Sequence, residues 1–332
     1  MFLDKVDLLV LEELGKDSRV HLKTIAEKAG VSIQTVSSRL GHIEEKLGLR
    51  YSLEFDLDAA GMRSEHFIRV KFRDGAAPDA ETLKAALASP YVQLACKTKG
   101  DFDLFIWAVT PTPQKFSSDV EPSIREALDE YVEDWTSHPL ISRRTGFLPV
   151  SRELVEQFIA PNSRRKVLGI LNENSRMMVM ELAEQLGVSE PTAEYHLKKV
   201  RPFVKRFTVF FEGKGDFAHV IRFFQVRGKK KDLETDGRKV TAAYLNSDPR
   251  LFNRLVYAAT PSGGMDCFLI ETYSSLDDNS TATEQLLSEK RIVGKHASAT
   301  VTKVLKGAIP IRKVNLTDGC KYLLSPAEIP GD

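Results

Sequence analysis

Two stretches of the chain carry apolar residues every three to four positions, which predicts three helices in each stretch. The third helices are predicted to bury Val36, Leu40, Ile43 and Leu47 in the first stretch, and Ala193, Leu197, Val200 and Val204 in the second. A Gly-Val-Ser turn precedes both, at 30–32 and 187–189, and its serine is a good helix N-cap. Helix, helix, glycine turn, helix is the geometry in which the last helix enters the major groove of DNA.

The two stretches are one segment written twice. Residues 17–43 and 174–200 align without a gap at an offset of 157 and share Ser, Arg, Ala, Glu, Gly, Val, Ser, Thr and Leu at matching positions. A repeat of this length indicates a duplicated unit. Pro202 is predicted to end the second copy's third helix near Arg201, about one turn before its counterpart ends.

The buried stripes leave polar side chains on the outer faces, and these are the predicted DNA-binding residues. They are Ser32, Gln34, Thr35, Ser38, Arg39 and His42 in the first unit, and Ser189, Thr192, Tyr195, His196, Lys198, Lys199, Arg201, Lys205 and Arg206 in or near the second. The faces differ, so the units should read different sequences, or one should mainly contact the DNA backbone. Arg39 could instead pair with Glu44, Glu45 or another acid, and His196 could be a surface histidine without a contact. The same helical pattern also occurs in packing domains that do not bind DNA.

Alternating apolar residues at 51–57 and 207–211 predict a strand, suited to a wing, after each helical unit. The first half then reads as strands at 66–73, 91–98, 102–110 and about 135–148, with helices at 79–88 and 113–131. This β-α-β-β-α-β order is that of a ferredoxin-like sandwich. Residues 66–70 and 146–150 have apparent counterparts at 219–223 and 307–311. The uncovered sheet face is apolar and favours face-to-face pairing of two such sheets.

The predicted fold class is therefore α+β, with two copies of a winged helix-turn-helix followed by a ferredoxin-like domain. The predicted boundaries are 1–58 and 62–151 for the first copy, 160–213 and 216–315 for the second, and 316–332 for a tail. The basic run at 227–231 has no match in the first half and is predicted to be a solvated loop, with phosphate contact as a lesser alternative.

Charge and composition narrow the class of protein. Lys and Arg number 20 against 26 Asp and Glu before residue 160, and 27 against 20 from there on, so the second half should attract phosphate more strongly. No apolar run reaches eighteen residues, which predicts a cytoplasmic protein without a membrane span. The scattered Cys96, Cys267 and Cys320 predict neither zinc nor redox chemistry. No motif for nucleotide hydrolysis, zinc proteolysis or serine hydrolysis occurs, and neither cofactor, metal nor catalytic residue is predicted.

Residues 24–32, continued by Val36, Arg39 and Leu40, resemble the DNA-binding signature of the Lrp/AsnC family of prokaryotic feast/famine regulators. Residues 100–104 and 263–266 resemble the glycine-x-x-aspartate turn of that family's sensor domain. Each half resembles one complete family protomer. The resemblance implies a sequence-specific transcription regulator of double-stranded DNA, whose sheets pair within the chain or in a homodimer.

The resemblance also implies an amino-acid or other small effector near the glycine-aspartate turns. A polar turn beside a carboxylate suits an ammonium group. The effector candidates are Gly100, Asp101, Asp103, Gly264 and Asp266. Either Asp103 or Asp266 could instead simply cap a β-turn.

Two rival functions stay open. Some tandem proteins that resemble this family decarboxylate sirohaem, which they hold by histidine and basic residues. Here the pairs His66/Arg69 and His219/Arg222 recur at equivalent positions of the two halves. No cluster of acid and base groups suited to proton transfer accompanies them, so the chain is predicted not to be an enzyme. The other rival is an interaction scaffold whose helical units no longer bind DNA.

Overall fold

The computed structural model describes residues 3–159, 162–211, 218–226, 255–262, 264–273 and 293–311. They belong to two compact units. The helical unit contains Met1–Gly61, Pro149–Gly215 and Pro310–Asp332, and the barrel unit contains Met62–Leu148 and Asp216–Ile309. Each unit therefore draws on both halves of the chain. The predicted tail and the basic run at 227–231 lie outside the described residues.

The described helices are α1 (Lys5–Lys16), α2 (Leu22–Ala29), α3 (Ile33–Leu47), α4 (Ala80–Ala86), α5 (Pro113–Lys115), α6 (Glu121–Leu128), α7 (Arg152–Phe158), α8 (Asn162–Glu173), α9 (Val179–Leu186) and α10 (Glu190–Val200). The described strands are β1 (Leu49–Phe55), β2 (Ser64–Phe72), β3 (Val92–Gly100), β4 (Leu104–Thr110), β5 (Val132–Gly146), β6 (Val204–Phe211), β7 (Ala218–Val226), β8 (Leu255–Pro261), β9 (Cys267–Tyr273) and β10 (Val293–Lys306). A π-helical turn, Phe116–Val120, joins α5 to α6.

The third helices of both copies begin at the predicted serine caps, and the second ends near Pro202 as predicted. Val204, which the sequence analysis assigned to the buried stripe of the second helix, is instead the first residue of β6. The N-cap of α3 is Ser32, whose hydroxyl accepts the Thr35 N–H at 3.1 Å, and the helix ends at the left-handed Gly48. The N-cap of α10 is Ser189, and this helix ends at Val200, where Pro202 converts the chain into a short 3-10 turn. As a result α3 has 15 residues and α10 has 11.

Helix α7 is an element that the sequence analysis did not predict. Ser151 caps it by accepting the Leu154 N–H at 3.2 Å, and Leu154 and Val155 are buried. The helix has only seven residues, too few to display a repeating apolar pattern.

The strands predicted as wings pair with each other. β1 and β6 form an antiparallel two-stranded ribbon in which Leu49 lies opposite Phe211 and Leu53 opposite Phe207. The ribbon joins the two halves of the helical unit through backbone hydrogen bonds.

Eight strands of the barrel unit form one closed barrel in the order β10-β3-β4-β2-β5-β8-β9-β7. β5 pairs with β2 and also with β8, and β10 pairs with β7 and also with β3. The two four-stranded sheets therefore meet at both edges, whereas the sequence predicted only face-to-face pairing. The long fourth strands, of 15 and 14 residues, make this possible because their outer parts satisfy the neighbouring sheet's edge.

Two glycines permit these edge crossings. A Cβ at Gly146 (φ +81°) would overlap the carbonyl oxygen of Val256, and one at Gly307 (φ +75°) would overlap that of Gln93. Both positions combine a left-handed backbone with a close approach of a second strand, so only glycine fits. Inside the barrel, aromatic rings of both sheets pack together, and Phe67 stacks on Phe268 with their centroids 4.0 Å apart.

The strand register corrects one predicted correspondence between the halves. The backbone N–H of Asp103 donates to the Val70 carbonyl at 2.9 Å, and that of Asp266 to the Phe224 carbonyl at 3.0 Å. Val70 therefore corresponds to Phe224. The predicted alignment of 66–70 with 219–223 would match Val70 to Phe223 instead. The predicted alignment of these strands is wrong by one residue.

A shift of one residue exchanges the two faces of a strand, so His66 and His219 are not equivalent. His66 stacks on Phe116 of the covering helices, with ring centroids 3.5 Å apart. His219 corresponds instead to Glu65, and lies opposite Thr272, whose hydroxyl is 2.9 Å from its Nδ1. The His/Arg pairs that favoured the enzyme alternative therefore do not occupy equivalent positions in the structure.

In the described part of the chain, no helix is both long and apolar enough to cross a membrane.

Candidate nucleic-acid interface

Two arginines hold the halves of the helical unit together by reciprocal contacts. Arg19 Nη1 donates to the carbonyls of Ser175 and Met177, both at 2.8 Å. Arg176 Nη1 donates to the carbonyls of Ser18 and Val20. Arg19 and Arg176 are matched positions of the repeat, so each copy makes the same contact to the other. This is the pattern of a two-fold interface, formed here inside one chain.

The axis of this pseudo-two-fold contact passes between Ser18 and Ser175, whose hydroxyls are 2.7 Å apart and buried. Each arginine also lies near an aromatic ring of the ribbon: Arg19 is 5.8 Å from the Phe207 centroid, and Arg176 is 5.9 Å from that of Tyr51. The sequence analysis did not select either arginine. Their identity at matched positions in a loop was the available signal.

The outer face of α3 is open to solvent. Gln34, Ser38 and His42 are exposed, while Val36, Leu40 and Ile43 are buried beneath them. Ser32 and Thr35 are engaged in capping, since their hydroxyls lie 2.9 Å apart at the start of the helix. This face therefore offers mainly neutral hydrogen-bonding groups, which suit base edges better than phosphates.

Arg39 is not free to contact DNA as the sequence suggested. Its Nη2 is 2.8 Å from Asp4 Oδ2, and its Nη1 is 3.6 Å from Asp7 Oδ2. The structure thus shows the alternative in which Arg39 pairs with an acid other than Glu44 or Glu45. Asp7 is buried, and burial raises the pKa of its carboxyl while the nearby Arg39 guanidinium lowers it. Arg39 therefore compensates a buried acid of α1.

The outer face of α10 is cationic and aromatic. Tyr195 is 56% exposed, and Lys199 Nζ lies 5.4 Å from its ring centroid. Lys198 pairs with Glu194 one turn earlier at 3.3 Å, an exposed contact that a phosphate can replace at little cost. His196 is half-buried and meets the Tyr195 ring edge-on. Ser189 and Thr192 share a hydroxyl contact at 2.9 Å.

Of the three basic residues beyond α10, two have partners within the helical unit. Arg206 donates from Nε to Glu54 Oε2 across the ribbon at 2.9 Å, so its role is to hold β6 against β1. Arg201 lies over the Phe207 ring at 4.9 Å from the centroid. Lys205 is exposed.

The first glycine-aspartate turn contacts the neighbouring strand. Gly100 has φ +145°, and a Cβ there would lie 2.5 Å from the Ser298 carbonyl oxygen. Asp101 Oδ2 accepts the Ser298 N–H at 2.8 Å, which attaches the turn to β10. Asp103 accepts the Phe72 N–H at 2.9 Å and Lys71 Nζ at 3.2 Å. Both carboxylates thus hold backbone in place.

The second turn is described from Gly264 onward. Gly264 has φ +87°, and no atom of a described residue lies within 4 Å of an added Cβ. The Asp266 N–H donates to the Phe224 carbonyl of β7. Gly263 lies outside the described residues.

The barrel interior contains a buried polar group that the sequence analysis missed. Glu65 accepts from Arg143 at 2.6 Å and from the indole N–H of Trp107 at 3.1 Å. Further along β2, Arg69 lies over the Phe223 ring at 4.9 Å, and the ring of His138 stacks on the same phenylalanine at 5.0 Å. Isolated polar residues in otherwise apolar strands were the available signal.

His138 is neutral in this setting. Its Nδ1 is 3.0 Å from the Ser262 carbonyl oxygen and therefore carries the proton, and burial lowers the pKa of the ring. Its Nε2 and the Nε of Arg69 are buried and have no hydrogen-bond partner among the described residues. Unpaired buried polar atoms are unusual and need a cause.

A separate ion pair lies on the other sheet face. Arg222 Nε is 2.6 Å from Glu271 Oε2, and both side chains are almost completely buried. Within the described ranges, no group of three or more His, Cys, Asp or Glu is placed to hold a metal ion.

Comparison with known proteins supports the helix-turn-helix assignment in both halves. The family described as winged helix-turn-helix DNA-binding matches residues 3–46. The family described as bacterial regulatory protein, arsR family, matches residues 162–201.

An uncharacterized HTH-type transcriptional regulator of Pyrococcus abyssi is 32% identical over 107 residues, which are 31% of this chain and 68% of that protein. The HTH-type transcriptional regulator LrpA of Mycobacterium tuberculosis is 31% identical over 78 residues, 23% of this chain and 52% of LrpA. The chain belongs to the Lrp/AsnC family of HTH-type transcriptional regulators.

The sirohaem decarboxylase NirDL shares the fold over almost the whole length of this family member. Its crystal structure covers 94% of this chain and 96% of its own, with a TM-score of 0.58 and 15% identity. This match overturns the prediction that the chain is not an enzyme, because the same architecture belongs to a decarboxylase. At this identity the likeness concerns the fold.

Proposed function

We propose that the chain is a sequence-specific DNA-binding transcription regulator, built as a tandem fusion of two family protomers. In this proposal α3 and α10 each read part of one asymmetric operator. Double-stranded DNA is the partner, and the chain alone takes the place of the family dimer. The half-sites would lie about one helical turn, or a multiple of it, apart.

The reciprocal Arg19 and Arg176 contacts carry the proposal. They hold two helix-turn-helix copies as a pseudo-two-fold pair within one compact unit, while the outer faces of α3 and α10 stay exposed. Operator recognition needs two recognition helices at a fixed separation, because that separation determines the spacing of the half-sites that they contact.

The two faces differ in chemistry, which supports different roles. Gln34 is suited to the paired acceptor and donor of adenine, and Ser38 and His42 extend the same hydrogen-bonding surface. Lys198 and Lys199 are suited to phosphates, so α10 should contribute more salt-dependent affinity.

Gel shifts against genomic fragments test the proposal. Gln34→Ala with Ser38→Ala should reduce discrimination between fragments, whereas Lys198→Ala with Lys199→Ala should weaken binding to all of them and flatten the salt dependence. Lys23→Ala, an exposed lysine of α2, is the matched control and should bind as the parent does. Retention of full affinity and specificity by both double variants would reject the proposal, as would equal losses in the control.

An effector at the glycine-aspartate turns stays a prediction. The carboxylates of Asp101 and Asp103 already accept backbone N–H groups, so an ammonium ligand would have to use their remaining lone pairs. Isothermal titration with free amino acids checks this directly.

Decarboxylation is a second candidate, favoured by the shared fold and by the buried side-chain nitrogens Arg69 Nε and His138 Nε2. A guanidinium Nε is suited to hold a carboxylate, and an imidazole is suited to move the proton that replaces carbon dioxide. Incubation with sirohaem, the substrate class in the name of NirDL, should then shift the tetrapyrrole absorbance and release carbon dioxide. An unchanged spectrum would reject this candidate and leave the regulator proposal untouched.

A further inference from the structure

A groove of about 510 Å³ lies between α4, β3 and β10 in the barrel unit. Its volume falls within the range typical of small-molecule sites. Four of its ten lining residues are lysines, namely Lys84, Lys97, Lys303 and Lys306, and none of the ten is acidic. We call it the lysine groove.

Three of these cations have no acidic partner among the described residues. Lys84, Lys97 and Lys303 form no ion pair with any described residue. Lys306 differs, because its Nζ donates to the carbonyls of Leu87 and Ser89 at 2.8 Å and is fixed at one end of the groove.

Lys97 and Lys303 are direct cross-strand partners of the β3–β10 ladder. Like charges directly opposite each other on neighbouring strands destabilise a sheet. An anion between them would remove that cost. Lys84 lies on the other wall, in the last turn of α4, so a bound anion would meet cations from both sides.

The rest of the lining is apolar. Leu83 and Leu87 are buried beside the groove, and Val304, which is 37% exposed, is among the lining residues. A ligand that contacts both kinds of surface needs an apolar body and an anionic head.

We propose that the lysine groove binds a small amphipathic anion, such as an aliphatic carboxylate or its 2-oxo acid, and discriminates against amino acids. A zwitterionic ligand would bring its ammonium group to a lining of lysines without a carboxylate to receive it, which is repulsive. The expected ligand thus differs from the amino-acid effector that the family resemblance implied. Binding here is independent of whether the chain binds DNA.

Isothermal titration of the full chain with four probes tests the proposal: octanoate, 2-aminooctanoate, octanol and inorganic phosphate. Octanoate should bind at one saturable site. The other three should bind about tenfold more weakly or not at all, because each lacks the net negative head or the apolar body. Equal affinity for octanol would show an apolar site only, and equal affinity for phosphate an anion site only. Either result, or equal affinity for 2-aminooctanoate, would overturn the proposal.

Variants locate the site. Lys97→Gln and Lys303→Gln should each weaken octanoate binding roughly fivefold, the effect of one cation at about 4 Å in water. Lys99→Gln, on the same strand but outside the lining, should bind octanoate as the parent does. Without ligand, Lys303→Gln should keep or raise the thermal midpoint, because the repulsion with Lys97 is relieved. Unchanged affinity in both groove variants, or an equal loss in Lys99→Gln, would overturn the assignment.

Discussion

Arg39 shows how a residue chosen for DNA contact turns out to serve the fold. Its position on the outer part of a recognition helix made base contact a reasonable expectation. In the structure it reaches Asp4 and Asp7 at the start of α1, and Asp7 is buried. Sequence spacing on α3 could show the exposed position, but not that two acids of another helix lie beside it.

Arg39→Ala should therefore destabilise the protein. We expect a loss of about 1 to 2 kcal/mol in the free energy of unfolding, because a buried carboxylate loses its charged partner. The loss should shrink as pH falls through the pKa of Asp7, since the protonated carboxyl needs no cation. Chemical denaturation at pH 7 and pH 4 measures it, with Lys46→Ala, exposed on α3, as control. A loss that is the same at both pH values would contradict the assigned pairing.

His66 makes stability depend on pH. Burial lowers the pKa of its ring from 6.5 to about 4, since the ring stacks on Phe116 away from water. The unfolded chain therefore takes up a proton first as pH falls. This contribution is complete above pH 6.5, declines between 6.5 and 4, and amounts to at most about 3 kcal/mol.

The variant His66→Gln should lose less stability than the parent between pH 7 and pH 4. Thermal unfolding across this range checks the expectation. His42→Gln, exposed on α3, should follow the parent curve. Parallel curves for His66→Gln and the parent would show that His66 does not carry the dependence.

At the scale of the elements, the sequence predicted the positions of single helices and strands well, and the contacts between them poorly. The positions of α2, α3 and α10 were predicted from apolar residues every three to four positions, from the Gly-Val-Ser turns and from Pro202. These signals act within a few residues, so the sequence alone contains them. The strands of the first half also lie close to the predicted ranges. The pairing of β1 with β6 and the barrel closure depend on residues far apart in sequence, which an alternating pattern does not specify.

Strand register was the feature that the sequence predicted least well. The strands at 66–70 and 219–223 look alike letter by letter, yet the hydrogen bonds of Asp103 and Asp266 show a shift of one residue. Since a strand's two faces alternate, this shift separates His66 from His219 and removes the His/Arg repeat that favoured the enzyme alternative. The proximity of Arg69 to His138 was missed for the same reason, because these residues lie on neighbouring strands.

The reciprocal arginine contact predicts an effect on DNA binding without DNA contact. Arg19→Ala and Arg176→Ala should each lower the free energy of unfolding by about 1 to 3 kcal/mol, because each removes charge-assisted hydrogen bonds to two carbonyls. Each should also weaken operator binding, since the separation of α3 and α10 is no longer fixed. Denaturation and fluorescence anisotropy measure the two effects. Lys23→Ala should change neither, and full operator affinity in the arginine variants would contradict the pairing role.

At the scale of the whole molecule, the closed barrel predicts a protein that is a monomer in solution. Each of the eight described barrel strands has a partner on both sides within the chain, so none of the described barrel strands is left to pair with a second copy. Light scattering at micromolar concentration should give a mass near that of one chain, 37.2 kDa. A mass of two chains would show that a further surface pairs, and would restore the homodimer alternative.

The central claim is that one chain reads one duplex with two unlike helices. Hydroxyl-radical footprinting on a duplex selected from random sequence tests it most directly. We expect one chain per duplex and two protected half-sites of different sequence, about 10 base pairs or a multiple apart. A palindromic site that requires two chains, or protection of a single half-site, would contradict the account.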